Sequence, residues 1–174
     1  MRYHYTTSQW LPCRLELAFS FFANPNNLPL LMPHWQRVRI DSLNLVRPSD
    51  AASSSADIAG QGTTMRISFR PVPYLPLRQT WRAVISEFTW NNRFCDEQKR
   101  GPFAYWKHCH RIREESHAGA SGTLITDDVA YEMKMGPFGD FAHRLFVVRQ
   151  IRNLFLYRQQ QVEKLLLPDR EENS

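Results

Sequence analysis

The stretch RFCDEQKRGPFAYWKHCHRI, residues 93–112, decides how the rest of the chain is read. On each side of Gly101-Pro102 the residue types alternate. Phe94, Asp96 and Gln98 share one parity before the turn, and Trp106, His108, His110 and Ile112 share one after it. Glu97, Lys99, Lys107, Arg111 and Arg113 take the other parity. A period of two is the signature of strands, whose side chains point to opposite faces in turn. The stretch therefore predicts two antiparallel strands joined at a Gly-Pro turn, one face covered and the other wet.

The same period runs outward in both directions. Upstream, Trp81, Ala83 and Ile85 alternate with Arg82, Val84 and Ser86, and Met65, Ile67 and Phe69 alternate with Arg66, Ser68 and Arg70. Val38 and Ile40 open the series, and residues 3–7 predict a further strand at the beginning. Downstream, residues 123–135 predict a long final strand, with Ile125, Asp127, Val129, Tyr131 and Met133 on the covered parity and Asp128 and Glu132 on the wet one. Residues 117–122 read as a loop. The stretch 47–62, which contains the small, polar run SDAASSSADIAGQG (49–62), reads as a flexible loop within the domain, because strand patterning resumes directly after it.

Two breaks in this pattern are helical. Leu15, Ala18, Phe19 and Phe22 recur at helical spacing before Asn24-Pro25, where proline restricts the preceding residue and ends the helix. A second short helix is predicted over residues 26–31. From residue 138 to about 167 the period is helical again, with Phe138, Phe141, Leu145, Val148 and Phe155 on one stripe, widened by Val147, Ile151, Leu154, Val162 and Leu165. The expected fold is α+β: a curved antiparallel sheet of about seven strands around a long C-terminal helix, with two short helices after the first strand. The expected domain is residues 1–167, followed by a charged, frayed tail at 168–174.

The 174 residues are 43% hydrophobic and 22% charged, a globular composition, with five Trp and eleven Phe among them. A net charge of +5 comes from basic residues scattered among acids, with no Lys/Arg block, so no nucleic-acid partner is expected. No apolar run is long enough to span a membrane, and the first ten residues lack the apolar core of a signal peptide. Cys13, Cys95 and Cys109 have no zinc-like spacing. They are expected as free thiols in a reducing, cytoplasmic setting, and a disulfide is not expected although Cys95 and Cys109 share a parity.

The covered face holds five polar residues: Asp96, Gln98, His108, His110 and Asp127. Buried polar groups must be paired or wet. Either they satisfy one another, or they orient a ligand whose apolar body rests on Trp81, Phe94, Trp106 and Tyr131, with Val129 beside them. His108 and His110 on one strand face are also a metal-capable pair and a possible acid/base with an aspartate. No further ligand or nucleophile is specified, so neither a metal, a cofactor nor a catalytic residue is expected.

The order of elements, with FFANPNNLPLLMPHW (21–35), residues 93–112, and GPFGDFAHRLFVVRQIRNLFLYR (136–158), resembles the SRPBCC superfamily, the helix-grip proteins that include START domains and polyketide cyclases. Within it the chain is similar to a bacterial subgroup of ligand-binding members, over residues 3–158. The resemblance implies a hydrophobic cavity between the sheet and the last helix that takes a lipid, quinone or aromatic metabolite. Cyclase, aromatase or hydrolase chemistry through a His/Asp pair is the alternative, and a protein-interaction subunit is the second. Some relatives are joined to an epimerase-like domain, which here would be a separate protein. The run at 49–62 is longer than such proteins lead one to expect.

Overall fold

The structure is a computed structural model and describes residues 1–51, 57–135 and 146–167. Seven strands form one antiparallel sheet: β1 (Arg2–Leu11), β2 (Arg39–Asn44), β3 (Thr64–Phe69), β4 (Gln79–Thr89), β5 (Arg93–Arg100), β6 (Tyr105–His117) and β7 (Ala120–Glu132), ordered β1-β7-β6-β5-β4-β3-β2. Each hairpin from β2 onward pairs chain neighbours, and β1 closes the series by pairing with the last strand. Irregularities between Arg82 and Ala83 and between Ile85 and Glu87 place extra residues in the β4–β5 pair. Such bulges bend a strand and add twist.

Helix α1 (Leu15–Ala23) and the long helix α2 (Val148–Leu166) both pack on the inner face. Between α1 and β2 the chain runs through a 3₁₀ segment, Pro25–Leu31, whose start is fixed by the Asn24 side chain accepting from the Asn26 N–H at 3.0 Å, with proline at the first position. The two expected short helices are thus present, the second as 3₁₀. Among the described residues no helix is long and apolar enough to cross a membrane.

The expected faces hold on β5, β6 and β7. Phe94, Trp106, Ile112, Ile125 and Val129 are buried, while Lys99, Arg111 and Arg113 are exposed. Two residues differ. Trp81 is only half-buried, and Lys107 is half-buried because Glu87 and Glu97 hold its ammonium against the sheet.

Three local expectations are corrected. The loop expected at 117–122 is a two-residue turn, with Ala118 (φ 50°) and Gly119 (φ 82°) both left-handed between His117 and Ala120. Two positive φ values match the right-handed twist of a tight hairpin, and Gly119 adopts one without steric cost. The run at 49–62 is not simply flexible: Ile58 and Ala59 are core residues, Ala59 N–H donates to Ala23 O at 2.9 Å, and Gly62 N–H donates to Ile85 O at 2.9 Å. Residues 52–56 of that run, the 136–145 part of the predicted last helix and the 168–174 tail lie outside the described residues.

The third correction concerns the cysteines. Cys95 and Cys109 stand directly opposite across β5 and β6, with Cα atoms 4.0 Å apart, and are joined as a disulfide, while Cys13 is free. Directly opposed antiparallel residues bring their Cβ atoms within reach of one another, which shared parity alone does not reveal. Denatured, unreduced protein should therefore take up one iodoacetamide, and reduced protein three. Three adducts without reductant would contradict the pairing. In the folded protein Cys13 should react slowly, since burial pushes its thiol pKa up despite an opposing hydrogen bond involving Thr123.

Candidate functional site

The inner face divides into two apolar regions with a polar belt between them. Near α1, Phe94, Ile112 and Ile125 join Ala18, Phe19 and Ala23. Near the first half of α2, Trp106, Val129 and Tyr131 join Ile151 and Phe155, with Tyr3, Tyr5, Trp81 and Phe103 packed against them. Along β6 the order Trp106, His108, His110, Ile112 crosses from one region to the other. Along β7 the order Ile125, Asp127, Val129 crosses back.

Strand register assembles the belt. His108 faces Asp96 across β5–β6, and His110 faces Asp127 across β6–β7. His108 Nε2 lies 2.9 Å from Asp127 Oδ1 and its Nδ1 lies 3.3 Å from Asp96 Oδ1, so each ring nitrogen has a carboxylate partner. His110 Nδ1 also lies 2.7 Å from Asp127 Oδ1, and the atom is buried with no hydrogen-bond partner among the described residues. His108, His110 and Asp127 are buried, and Asp96 is half-buried. Rings enclose the imidazoles: Phe94 at 4.5 Å and Phe22 at 5.3 Å from His110, and Phe155 edge-on at 5.4 Å from His108.

Electrostatics distributes the protons unevenly. Burial opposes charge on His108, but hydrogen bonds and attraction from Asp127 and Asp96 outweigh it and raise its pKa. Burial and then the neighbouring His108 cation lower His110 to about 4, against the pull of Asp127. Burial alone would raise Asp127, yet the two histidines hold it well below the usual carboxylate range. These shifts favour a proton on His108 beside the Asp127 carboxylate and a neutral His110 next to them.

One member was not among the sequence candidates. Arg158 on α2 carries its guanidinium 5.2 Å over the Phe155 ring, and its Nε is buried without a partner among the described residues. It follows Phe155 and precedes Val162, which belong to the two different apolar regions, and its charge further disfavours protonation of His110. The signal was present in the sequence. Positions 151, 155, 158 and 162 form one helical stripe, and an arginine in it is a polar residue on a covered face.

The other sequence candidates part company. Trp81, Trp106 and Tyr131 gather around Phe103, with Trp81 perpendicular to Trp106 at 5.1 Å and Phe103 at 5.7 Å from Tyr131. Val129 lies between this group and the belt. Phe94 packs toward α1 instead, and Gln98 closes the β5–β6 turn by donating from Nε2 to Phe103 O at 2.8 Å. Donor atoms of Asp96, His108 and His110 lie within 4.8 Å of one another. A cation placed there would have to replace the contact between His108 Nδ1 and Asp96, since a ring nitrogen that ligates a metal carries no proton.

On the β2–β4 side the inner face changes character. Ile40, Ile67 and Trp81 are directly opposed across three strands, as are Leu43, Met65 and Ala83. All six point inward, and none is fully buried. Helix α2 packs toward β1 and the Pro25–Leu31 segment, so these rows form an apolar shelf running into the Trp81–Phe103–Trp106 cluster.

Solved structures of the same fold bear out the helix-grip reading. Ara h 8.0201 superposes with a TM-score of 0.60 at 14% identity, over 97% of this chain and 100% of that one. The Thermus thermophilus protein TTHA0849 gives 0.60 at 17%, over 98% and 99%. The major latex-like protein 151 of Panax ginseng gives 0.62 at 11%, over 96% and 99%. No curated protein matches the chain. The model of one family, described as polyketide cyclase / dehydrase and lipid transport, matches residues 11–158, from the end of β1 to Arg158 in α2, and the chain belongs to that family.

Proposed function

We propose that the protein binds an amphipathic small molecule, such as a lipid, quinone or aromatic metabolite, on the inner face between the sheet and α2. The observation that carries this reading is the shelf of Ile40, Leu43, Met65, Ile67, Trp81 and Ala83, inward-facing apolar side chains that are only partly buried. Apolar surface held out of the core costs roughly 25 cal/mol per Å² until something covers it. The ligand's apolar body lies along this shelf and against Phe103 and Trp106. Its polar end points toward Asp96, the half-buried member of the belt, and toward Arg158.

Acid–base catalysis is the second reading, favoured by the buried His/Asp contacts. Both nitrogens of His108 are engaged, which leaves His110 as the group able to exchange a proton with a substrate. Mass spectrometry of molecules released on denaturing protein from its own host separates the readings. A ligand recovered unchanged after incubation supports carriage, and a converted one supports catalysis.

A panel of fatty acids, quinones and polycyclic aromatics should contain compounds that raise the melting temperature. At 100 times the dissociation constant the stabilisation is about 2.7 kcal/mol, or roughly 5–10 °C for a domain of this size. Trp81→Ala should weaken that response while leaving the unliganded protein folded, because its indole is only half-buried. A flat response over the whole panel would remove the basis for the binding reading.

A further inference from the structure

The outer face at one end of the sheet carries an arrangement that ligand binding on the inner face does not use. Arg66 stands directly opposite Arg82, and Arg82 directly opposite Arg100, so three arginines form a continuous row across β3, β4 and β5. All three are exposed. Like charges directly opposed across strands repel, and a fold gains nothing from placing them so. With Arg78 and Lys134 they line an open cleft of about 590 Å³, in which Asp41 is the one acidic residue among the described residues. Asp41 offsets little of this charge. It lies 4.0 Å from Arg66 Nε and accepts a hydrogen bond from Ser68 Oγ at 3.0 Å.

Beside the cleft, the connection from β3 to β4 holds apolar side chains in solvent. Leu77 is 66% exposed and Tyr74 fully so, with Val72 and Leu75 also exposed. Pro71, Pro73 and Pro76 stiffen this segment, so it cannot readily fold its apolar groups away. Both ends are anchored. Arg70 N–H donates to Gln36 O at 2.7 Å, and Arg78 donates to Ser68 O at 2.8 Å and Arg37 O at 3.0 Å. Met135, next to Lys134 of the cleft, is exposed as well.

We infer that this end of the sheet docks the protein on an anionic lipid bilayer. The 71–77 segment sits in the boundary between headgroups and acyl chains, and the arginine row lies against lipid phosphates. Stable attachment to a membrane surface takes two signals, buried apolar area and a polybasic patch, and the structure places both at one end of the sheet. A soluble phosphate compound would satisfy the row but leave Tyr74 and Leu77 unused, which is why the bilayer is the occupant. The inference stands apart from the inner-face ligand and does not require it.

Co-sedimentation of the full chain with vesicles of phosphatidylcholine, alone or mixed with phosphatidylglycerol, tests it. Binding is expected to the mixed vesicles only, weakening as salt rises. Arg82→Ala and Arg100→Ala should each reduce partitioning about fivefold, and Leu77→Ser about tenfold or more. All three positions are exposed, and unchanged melting temperatures keep the comparison clean; Arg82→Ala also relieves repulsion from both neighbours. Equal binding to both vesicle types, binding unaffected by either class of substitution, or no binding would overturn the inference. So would calorimetric binding of inorganic pyrophosphate to a chain that ignores vesicles, which would make a soluble phosphate the occupant.

Discussion

Asp127→Ala should lower the stability of the protein by about 3–5 kcal/mol, the cost of breaking a buried ion pair from one side. Asp127 Oδ1 is 2.9 Å from His108 Nε2 and 2.7 Å from His110 Nδ1, and all three side chains are buried. Removing the carboxylate leaves His108 with Asp96 as its remaining carboxylate contact and opens space beside the strands. For a chain of this length the loss corresponds to roughly 6–20 °C in melting temperature. The urea midpoint, at unchanged slope, measures it directly. Replacing Asp127, His108 and His110 together by leucine should recover much of the loss, because an apolar belt of similar volume carries no unpaired charge. If Asp127→Ala costs less than about 1 kcal/mol, as for a surface substitution, the belt is hydrated and the burial argument for it fails.

The belt was legible in the sequence for a specific reason. On β5, β6 and β7 the covered parity is unbroken through the region that holds it, so Asp96, His108, His110 and Asp127 could be placed on one face without coordinates. Which of them touch could not be read, because register depends on turn lengths. His108 faces Asp96 rather than Gln98 because the β5–β6 connection is one length and not another. The bulges between β4 and β5 are likewise silent in a period-2 pattern. The one at Lys99 of β5 brings Arg82 opposite Arg100, so a row of arginines 16 and 18 positions apart in the chain reads as scattered charge. The disulfide falls in the same gap: parity is legible, pairing is not. Ile58 and Ala59 are hidden differently, since two apolar residues in a Ser/Ala-rich run have no period to reveal them. Arg158 is legible by the same criterion as the strand residues, a polar side chain within the helical stripe 151, 155, 158 and 162.

The pH dependence of stability should carry the mark of His110. Its folded pKa is lowered to about 4 by burial and by the adjacent His108 cation, whereas an unfolded histidine titrates near 6.5. Between those values the unfolded chain binds a proton that the folded chain refuses, so stability falls as pH drops. The full window corresponds to about 3 kcal/mol, lost mainly between about pH 6 and 4. His108 acts with the opposite sign. Its raised pKa gives stability that is fully present below the unfolded value and is lost as pH rises through the folded one. Asp127, held low, contributes stability that is present above about pH 4, the ordinary carboxylate value, and is lost only in stronger acid. The slope between pH 6 and 4 therefore isolates His110 from both partners. His110→Leu, which keeps the packing against Phe94 and Phe22 apolar, should flatten that part of the curve while the more acidic limb persists. Urea midpoints at half-unit steps of pH for the two proteins supply the comparison. Parallel curves through this window would show that His110 takes up its proton in the folded state as readily as in the unfolded one, and that the neutral histidine at the centre of the belt is not there.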